Sequence, residues 1–500
     1  MSEAHIVILG AGPAGSAAAR LLASWGLDVV VLARRVNSER ALGESLPPSA
    51  LALMQRIGFS RPGASVAVRS TGNTVRWGND AERVERFGAG LEGYQIDRAI
   101  FDAFLAREAA GAGADVRLGA NVIRVAGDRP ATITYEQDGE TRTLRAAWIL
   151  DCSGRTGVIA RDGWRVADDA ARTTAIVGIW ERADPWPTPD PTHTVVESTA
   201  DGWAWSVPVS ETRRYVTLML DPKLTSVATR GDLTASYTKL LERTRTLSAL
   251  IDGARRDGDV FARDASPYHA RLYANQGTML VGDAASFVDP LSSYGIKKAL
   301  ASAWLASVCV HSILTNAAVE PAALELFNTR ERAMHDALRK AATMLARDAA
   351  GSHPTAFWET RGAAPASDAQ AAFEPDVSEL RTDPDVLRAL EELRSRGTIQ
   401  LRPTPSVQRV GRPTVRGNRV VVEEHLVVPA FPEGVRYVRN VDLLKLSELA
   451  PSSEQVPDLF EAYNRVASPA PLPDFLGALS LLVGKGFLNW GSNESSEGNP

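Results

Sequence analysis

HIVILGAGPAGSAAARLL, residues His5–Leu22, decides how the chain begins to fold. An apolar strand signal, His5–Leu9, breaks at Gly10-x-Gly12-x-x-Gly15 and continues as a helix of small and apolar residues, Ala14–Trp25. Gly10 permits the turn. Gly12 lets the backbone approach a pyrophosphate, and Gly15, beside Ala14, lets helix and strand pack closely. The unpaired N–H groups of the helix start then face the anion. An acidic residue that would hold a ribose is expected about 20 residues further on. Instead Val30-Val31-Leu32 ends in Ala33-Arg34-Arg35. Either the backbone and Arg34 or Arg35 take the ribose, or these arginines are a solvated strand end.

Far downstream stands LVGDAASFVDPLSSYGIKKAL, Leu280–Leu300. It reads as a buried strand (Thr278–Val281), a Gly282-Asp283 turn, a loop with Pro290, and a helix starting near Gly295. Paired with the first loop across most of a catalytic domain, it points to FAD held at two ends. A simple NAD dehydrogenase has no need of it.

The chain has 500 residues, 44% hydrophobic and 23% charged, with a net charge of -5. That length allows roughly two to four domains, and the charge leaves no footprint for nucleic acid or an anionic membrane. The chain is strand-like within a few residues and no apolar run reads as a bilayer span, so neither a signal peptide nor a membrane segment is expected. Cys152 and Cys309 carry no metal spacing and form no disulfide framework; the expectation is a cytoplasmic protein without a metal.

Residues 1–345 mix strand signals (Val29–Leu32, Val116–Leu118, Thr132–Glu136, Trp148–Asp151, Tyr215–Leu220) with helical ones (Pro47–Ile57, Ile96–Ala110, Ile296–Leu314). This predicts an α/β fold class: a Rossmann-like domain with an inserted antiparallel sheet. Gly351–Asp376 is rich in Ala, Pro, Ser and Gly, and 346–380 reads as a linker. Residues 381–490 form a separate α+β unit, with helices Asp383–Arg396, Val456–Val466 and Phe475–Val483 and strands Thr398–Leu401, Arg419–Val428 and Val435–Asn440. Residues 491–500 read as a disordered tail.

Five motifs follow one another: the N-terminal glycine loop, GESLPP (Gly43–Pro48), YQIDRAIFDAFL (Tyr94–Leu105), DCSGR (Asp151–Arg155) and GDAASFVDPLSSYG (Gly282–Gly295). In that order they resemble the FAD-dependent monooxygenases of the p-hydroxybenzoate hydroxylase fold, in the tryptophan-halogenase and geranylgeranyl-reductase-like branch, over residues 5 to roughly 315. The resemblance implies that Gly10, Gly12, Gly15 and Arg98 lie along FAD and that Gly282-Asp283 meets its ribityl or phosphate region. It puts Pro290, Gly295 and Ile296 beneath the isoalloxazine. Glu44 and Ser45 border the flavin by the same resemblance; from the residues alone, Ser45 caps the helix beginning at Pro47.

Trp203–Pro208, WAWSVP, resembles the WxWxIP signature of flavin-dependent halogenases, which makes Trp203, Trp205 and Pro208 candidates for the substrate pocket. The plain alternative is an aromatic pair on one strand face. Halogenases use a lysine from the early chain, yet none precedes Lys223, and Ser65–Gly78 offers Arg69 instead, which stays protonated. Lys297 and Lys298 are expected to point elsewhere. Ser292-Ser293 resembles the halide pocket, but hydroxyls beside a flavin serve oxygen activation equally, so Ser293 is a catalytic candidate for either chemistry. His269 is the candidate general base.

The expected function is therefore an FAD-dependent monooxygenase that hydroxylates an electron-rich aromatic, an indole or a peptidyl tryptophan, through a C4a-hydroperoxyflavin. O2 is the oxidant, and NAD(P)H or a partner flavin reductase supplies electrons. The alternatives are a flavin-dependent halogenase, a geranylgeranyl-reductase-like enzyme and a non-catalytic flavoprotein scaffold. SSYGIKKALASAWLA is similar to the subgroup that hydroxylates a partner protein's tryptophan during tryptophylquinone biogenesis. The end of the chain resembles a small winged-helix module without a basic recognition helix, suited to docking a peptide or protein, or to serving as a lid.

Overall fold

The structure, a computed structural model, describes residues 2–35, 41–78, 81–127, 129–225, 233–292, 294–363 and 383–491. It divides into two compact units, Met1–Leu314 with Glu331–Ala371, and Thr315–Arg330 with Ala372–Pro500.

In the first unit the strand Ser2–Leu9 runs parallel to Glu140–Asp151 on one side and Val29–Ala33 on the other. Thr278–Leu280 and Asp115–Leu118 extend this sheet outward, again in parallel. Its central strands carry unbroken buried runs such as Ile6–Leu9 and Val29–Ala33, as a parallel sheet covered on both faces requires. Helix Pro13–Ser24 starts at the glycine loop with Gly12 as its N-cap. Pro13 sits in the first turn, where its missing N–H would have no partner in any case. Gly10 has φ +106°, and a Cβ there would stand 2.5 Å from the Cys152 carbonyl oxygen. A Cβ on Gly15 would stand 1.9 Å from the Gly10 oxygen. Packing alone requires both glycines.

A seven-stranded, mostly antiparallel sheet forms the second layer, in the order Arg255–Asp264, Thr174–Glu181, Arg213–Leu220, Gly202–Pro208, Thr194–Thr199, Gly72–Arg76, Arg83–Arg86. A small sheet of Gly43–Leu46, Gly93–Asp97 and Ala67–Ser70 lies beside it. Ser45 belongs to that sheet and does not cap a helix: Pro48–Ile57 has Pro47 at its N-cap and no side-chain cap.

The expected linker is corrected over its first part. Residues up to Ser352 continue a long helix, Glu320–Ser352, and Ala356–Gly362 forms another. Phe357 and Trp358 are buried there, with Trp358 edge-on to Trp77 at 5.3 Å. Two aromatic anchors outweigh an Ala/Pro/Ser-rich composition. Residues 364–380 lie outside the described residues. The expectation of no bilayer-length apolar run is also corrected, since Gly295–Thr315 is long and apolar enough to cross a membrane. Most of its residues are buried in the protein, which accounts for its composition as a core helix.

The second unit has its own core, in which Leu426, Val441, Leu443, Leu459, Phe475 and Leu482 meet. Helix Pro384–Ser395 leads to strand Leu401–Pro403, paired with Leu488–Trp490, and to the ladder Gln408–Arg416, Arg419–Val428, Phe431–Val435. Helices Leu443–Leu449, Val456–Val466 and Leu472–Gly484 follow. The expected strand Thr398–Leu401 begins only at Leu401, and Val435–Asn440 divides between Phe431–Val435 and Tyr437–Val438. Of the expected tail, residues 492–500 lie outside the described residues.

Candidate functional site

A cavity of about 1540 Å³ runs through the first unit from the glycine loop to the tryptophans of Gly202–Pro208. It exceeds an ordinary small-ligand pocket of roughly 300–1,000 Å³. Gly10, Gly12, Ala14, Arg35, Glu44, Ser45 and Arg98 line one end. Asp283, Pro290, Gly295 and Ile296 line it as well, and Trp203 and Trp205 stand at the other end. These residues, singled out between Gly10 and Ile296, are thus brought together.

Four others are not. Gly15 and Gly282 stand behind the wall, where a Cβ on Gly282 would meet the Ala14 and Ala299 side chains at 3.2 and 3.3 Å. Pro208 and His269 are turned away by strand alternation. Trp203, Trp205 and Val207 face the cavity, so Pro208 faces the other side; Tyr268 faces it, so His269 does not. His269 instead lies 5.0 Å from the His335 ring, and burial lowers its pKa against the pull of Asp336. A general base for chemistry in this cavity is not found there. Ser293 lies outside the described residues.

Arg98 organises the charged end. Asp97 caps helix Arg98–Gly111 by accepting from Ala99 and Ile100, which fixes Arg98 as the first helical residue. Its guanidinium donates to Glu44 Oε1 at 2.6 Å and to both oxygens of Asp102 at 2.9 Å. The two-pronged contact matches the planar fork of arginine. Burial alone would lower the pKa of Arg98, but Asp102 and Glu44 outweigh it and hold it well above its usual value. Burial pushes Glu44 up against the pull of Arg98. Asp102 was missed in the sequence, although its place four residues beyond Arg98 was a readable helix spacing.

Of the DCSGR motif, Cys152, Ser153, Gly154 and Arg155 line the cavity, while Asp151 is structural. Asp151 is fully buried and accepts from Ser153 Oγ at 2.5 Å, from Ile159 N at 2.8 Å and from Ala160 N at 3.2 Å. It folds the loop that Arg165 then ties to the Gly154 and Asp283 carbonyl oxygens. Arg69, in the stretch where a lysine was sought, is 70% exposed and pairs with Glu92. It does not line the cavity. Lys298, expected to point elsewhere, does not line the cavity; it is buried behind the wall, with its ammonium 3.1 Å from Asp283 Oδ1.

At the far end Trp203 and Trp205 stack with centroids 4.6 Å apart and planes at 24°. Val196, Val207, Met219 and Leu291 complete an apolar wall. Behind it Asp289 is buried, and its pKa is raised to about 6 by that burial, against Arg361 and the Trp203 indole.

The residues present fit FAD. Gly12 faces the cavity, with no neighbour nearer than 3.7 Å to a Cβ built there, so its backbone is open to a phosphate at the start of a helix. Arg98, Glu44 and Asp283 present polar groups farther along.

Comparison with known proteins agrees. The FAD binding domain family matches residues 3–354. A tryptophan 2-halogenase of Chondromyces crocatus is 28% identical over 336 residues, 65% of this chain and 64% of that protein. The chain therefore spans about two thirds of this curated relative. The structure of the flavin-dependent halogenase CmlS covers 99% of this chain and 97% of its own, with a TM-score of 0.78 and 24% identity, which bears on the fold. The peptidyl tryptophan dihydroxylase QhpG, essential for tryptophylquinone cofactor biogenesis, covers 96% of this chain and 99% of its own, with a TM-score of 0.70 and 25% identity.

Proposed function

This chain belongs to the FAD binding domain family and is an FAD-dependent oxidoreductase, and from that premise we propose that it is a monooxygenase acting on an electron-rich aromatic ring of the indole class. One observation carries the reading: the cavity ends in two stacked tryptophans, and no lysine is among the described residues that line it. A halogenase of this branch is expected to bring a lysine to that chamber. Hydroxylation needs no such group.

Bound FAD supplies the activation of O2 by electrons from NAD(P)H or a flavin reductase. The protein's own residues bind and orient. Gly10, Gly12 and the start of helix Pro13–Ser24 hold the diphosphate, while Arg98, braced by Glu44 and Asp102, fixes the adjoining region. Trp203 and Trp205 offer a flat apolar wall to a planar substrate. Orientation of the reacting ring accounts for much of the catalytic effect such a site provides. Val196, Val207, Met219 and Leu291 keep that end dry. The likeness to QhpG supports a tryptophan borne on a peptide.

Halogenation is the second reading, favoured by the Chondromyces relative. The two are separated by supplying enzyme, FAD, NADH, a flavin reductase and a tryptophan-containing peptide, with and without chloride and bromide. Oxygen uptake and a product heavier by one oxygen, independent of halide, are expected. A halide-dependent product carrying chlorine or bromine would replace the hydroxylation reading. Substrate reduction without oxygen uptake would select the reductase.

A further inference from the structure

Lys298 stands behind the cavity wall to which its helix contributes Gly295, Ile296 and Ala299, with no role in the chemistry above. It is the fourth residue of the buried helix Gly295–Thr315, and its side chain is only 5% exposed. Its ammonium lies 3.1 Å from Asp283 Oδ1 and also donates to the Ser286 carbonyl oxygen. One turn along the same helix face, Ser302 Oγ accepts the Gly282 N–H at 3.0 Å. The helix therefore holds the Gly282–Ser286 turn twice, once through a charge and once through a neutral hydroxyl. Behind them Glu331 is hydrogen-bonded by Ser302, and both Glu331 and His335 lie within the field of Lys298.

This side of the cavity is acidic. Glu44, Asp102 and Asp283 converge on it, and the charges of Asp102 and Asp283 add to the upward shift of Glu44. Arg98 answers Glu44 and Asp102. Lys298 is the only ion-pair partner of Asp283 among the described residues. Without it, an ionised Asp283 would face a cofactor that carries its own diphosphate charge, across a wall of low dielectric.

We propose that Lys298 is a positioning residue for FAD: it neutralises and orients Asp283, so that this carboxylate can stand in the wall beside an anionic dinucleotide. The cation is on the helix Gly295–Thr315, which follows the Pro290–Ser292 turn in the chain. This role concerns FAD itself and is independent of whether oxygen or halogen reaches the substrate.

FAD titrations of the full-length apoprotein, followed by flavin fluorescence, test the idea. Wild type and Lys298→Arg should bind with nearly the same affinity. Lys298→Met should bind about tenfold or more weakly, and adding Asp283→Asn should restore most of the affinity, because the carboxylate left without its cation is then gone. Ser302→Ala, which loosens the same turn without removing charge, should weaken binding in a way that Asp283→Asn does not restore. Since Glu331 and His335 face Lys298, each variant is also measured with Glu331→Gln, which must leave the pattern intact. Unchanged FAD affinity in Lys298→Met, or a loss that Asp283→Asn does not restore, would overturn the proposal. Should Lys298→Met not fold, Asp283→Asn combined with Lys298→Met decides: FAD affinity near that of wild type supports the role, and affinity still reduced about tenfold or more overturns it.

Discussion

At one end of the cavity Gly10, Gly15, Glu44, Arg98 and Asp102 meet through backbone contact and charge. At the other, Trp203, Trp205, Val196, Val207 and Met219 meet through shape. The first end has hard tolerances: a Cβ 1.9 Å from a carbonyl oxygen cannot be relaxed by a rotamer change. Its carboxylates are each answered by a cation or a hydrogen bond. The second end buries one carboxyl, Asp289, whose Oδ1 has no hydrogen-bond partner among the described residues and which is accordingly raised toward its neutral form. The contrast suggests a division of labour. The cofactor end selects one ligand by fixed contacts, whereas the aromatic end admits any flat ring that fills it.

Gly15→Val strikes the harder end where it has least room. Helix Pro13–Ser24 would have to leave the sheet, so the variant should lose more than about 4 kcal/mol and carry no flavin absorbance after purification. Full FAD content would show that the glycine loop is less constrained than the geometry implies. Arg98→Met comes next. It strands Glu44 and Asp102 without their guanidinium, a loss of about 3–5 kcal/mol by the usual cost of breaking a buried pair, reduced to the extent that water in the cavity screens them. Denaturant midpoints check this. Combining it with Glu44→Gln should return part of the stability, because one of the stranded charges is gone.

The same contrast explains what could be read from the sequence. Gly15 was legible because its steric demand, the Gly10 carbonyl, lies within a few residues of chain, and Gly10 was legible from the motif although the group it must clear is the distant Cys152 carbonyl. Arg98 was legible as part of a motif, and its neighbour Asp102 could have been, from helix spacing. Pro208 and His269 were misjudged where a period of two was available: each is one residue from a side chain that does face the cavity, and hence on the opposite face. Trp358 was hidden by averaging, since two aromatics in a window of Ala, Pro and Ser barely move its composition. Lys298 was of another kind. A lysine on an apolar helix turns inward only because the Gly282–Ser286 turn, distant by more than a helical repeat in sequence, presents a carboxylate and a carbonyl to it. Local patterns place backbone and faces; ion pairs closed by tertiary folding stay out of their reach.

Asp289 gives the aromatic end a pH signature of its own. Its folded-state pKa of about 6 lies above the usual value of 3.8, so the fold holds a proton that the unfolded chain releases. The stabilisation is complete below the lower value and is lost as pH rises through about 6. Over the whole window it amounts to on the order of 3 kcal/mol, with roughly 1–1.5 kcal/mol of it between pH 5 and pH 8. Asp289→Asn cannot titrate. Its stability relative to wild type should therefore improve from pH 5 to pH 8 by that amount in urea unfolding. A constant difference would mean that Arg361 keeps Asp289 ionised throughout.

Trp205→Ala should have the smallest effect on stability and the clearest one on chemistry. Trp203 is buried at 3% exposure and is also edge-on to Trp77, so removing it would open the core. Trp205 is only half-buried; its indole stacks on Trp203 and faces the cavity. Losing one stacked ring that keeps a solvent-facing side costs on the order of 1 kcal/mol. FAD affinity should be unchanged, since Trp205 is not among the residues assigned to hold the cofactor. If the aromatic wall orients the substrate, the variant should keep its oxygen uptake while releasing more of that oxygen as peroxide and less as hydroxylated product. If product and peroxide stay in the wild-type ratio, the ring is held elsewhere, and the two ends of the cavity do not divide their work as their side chains suggest.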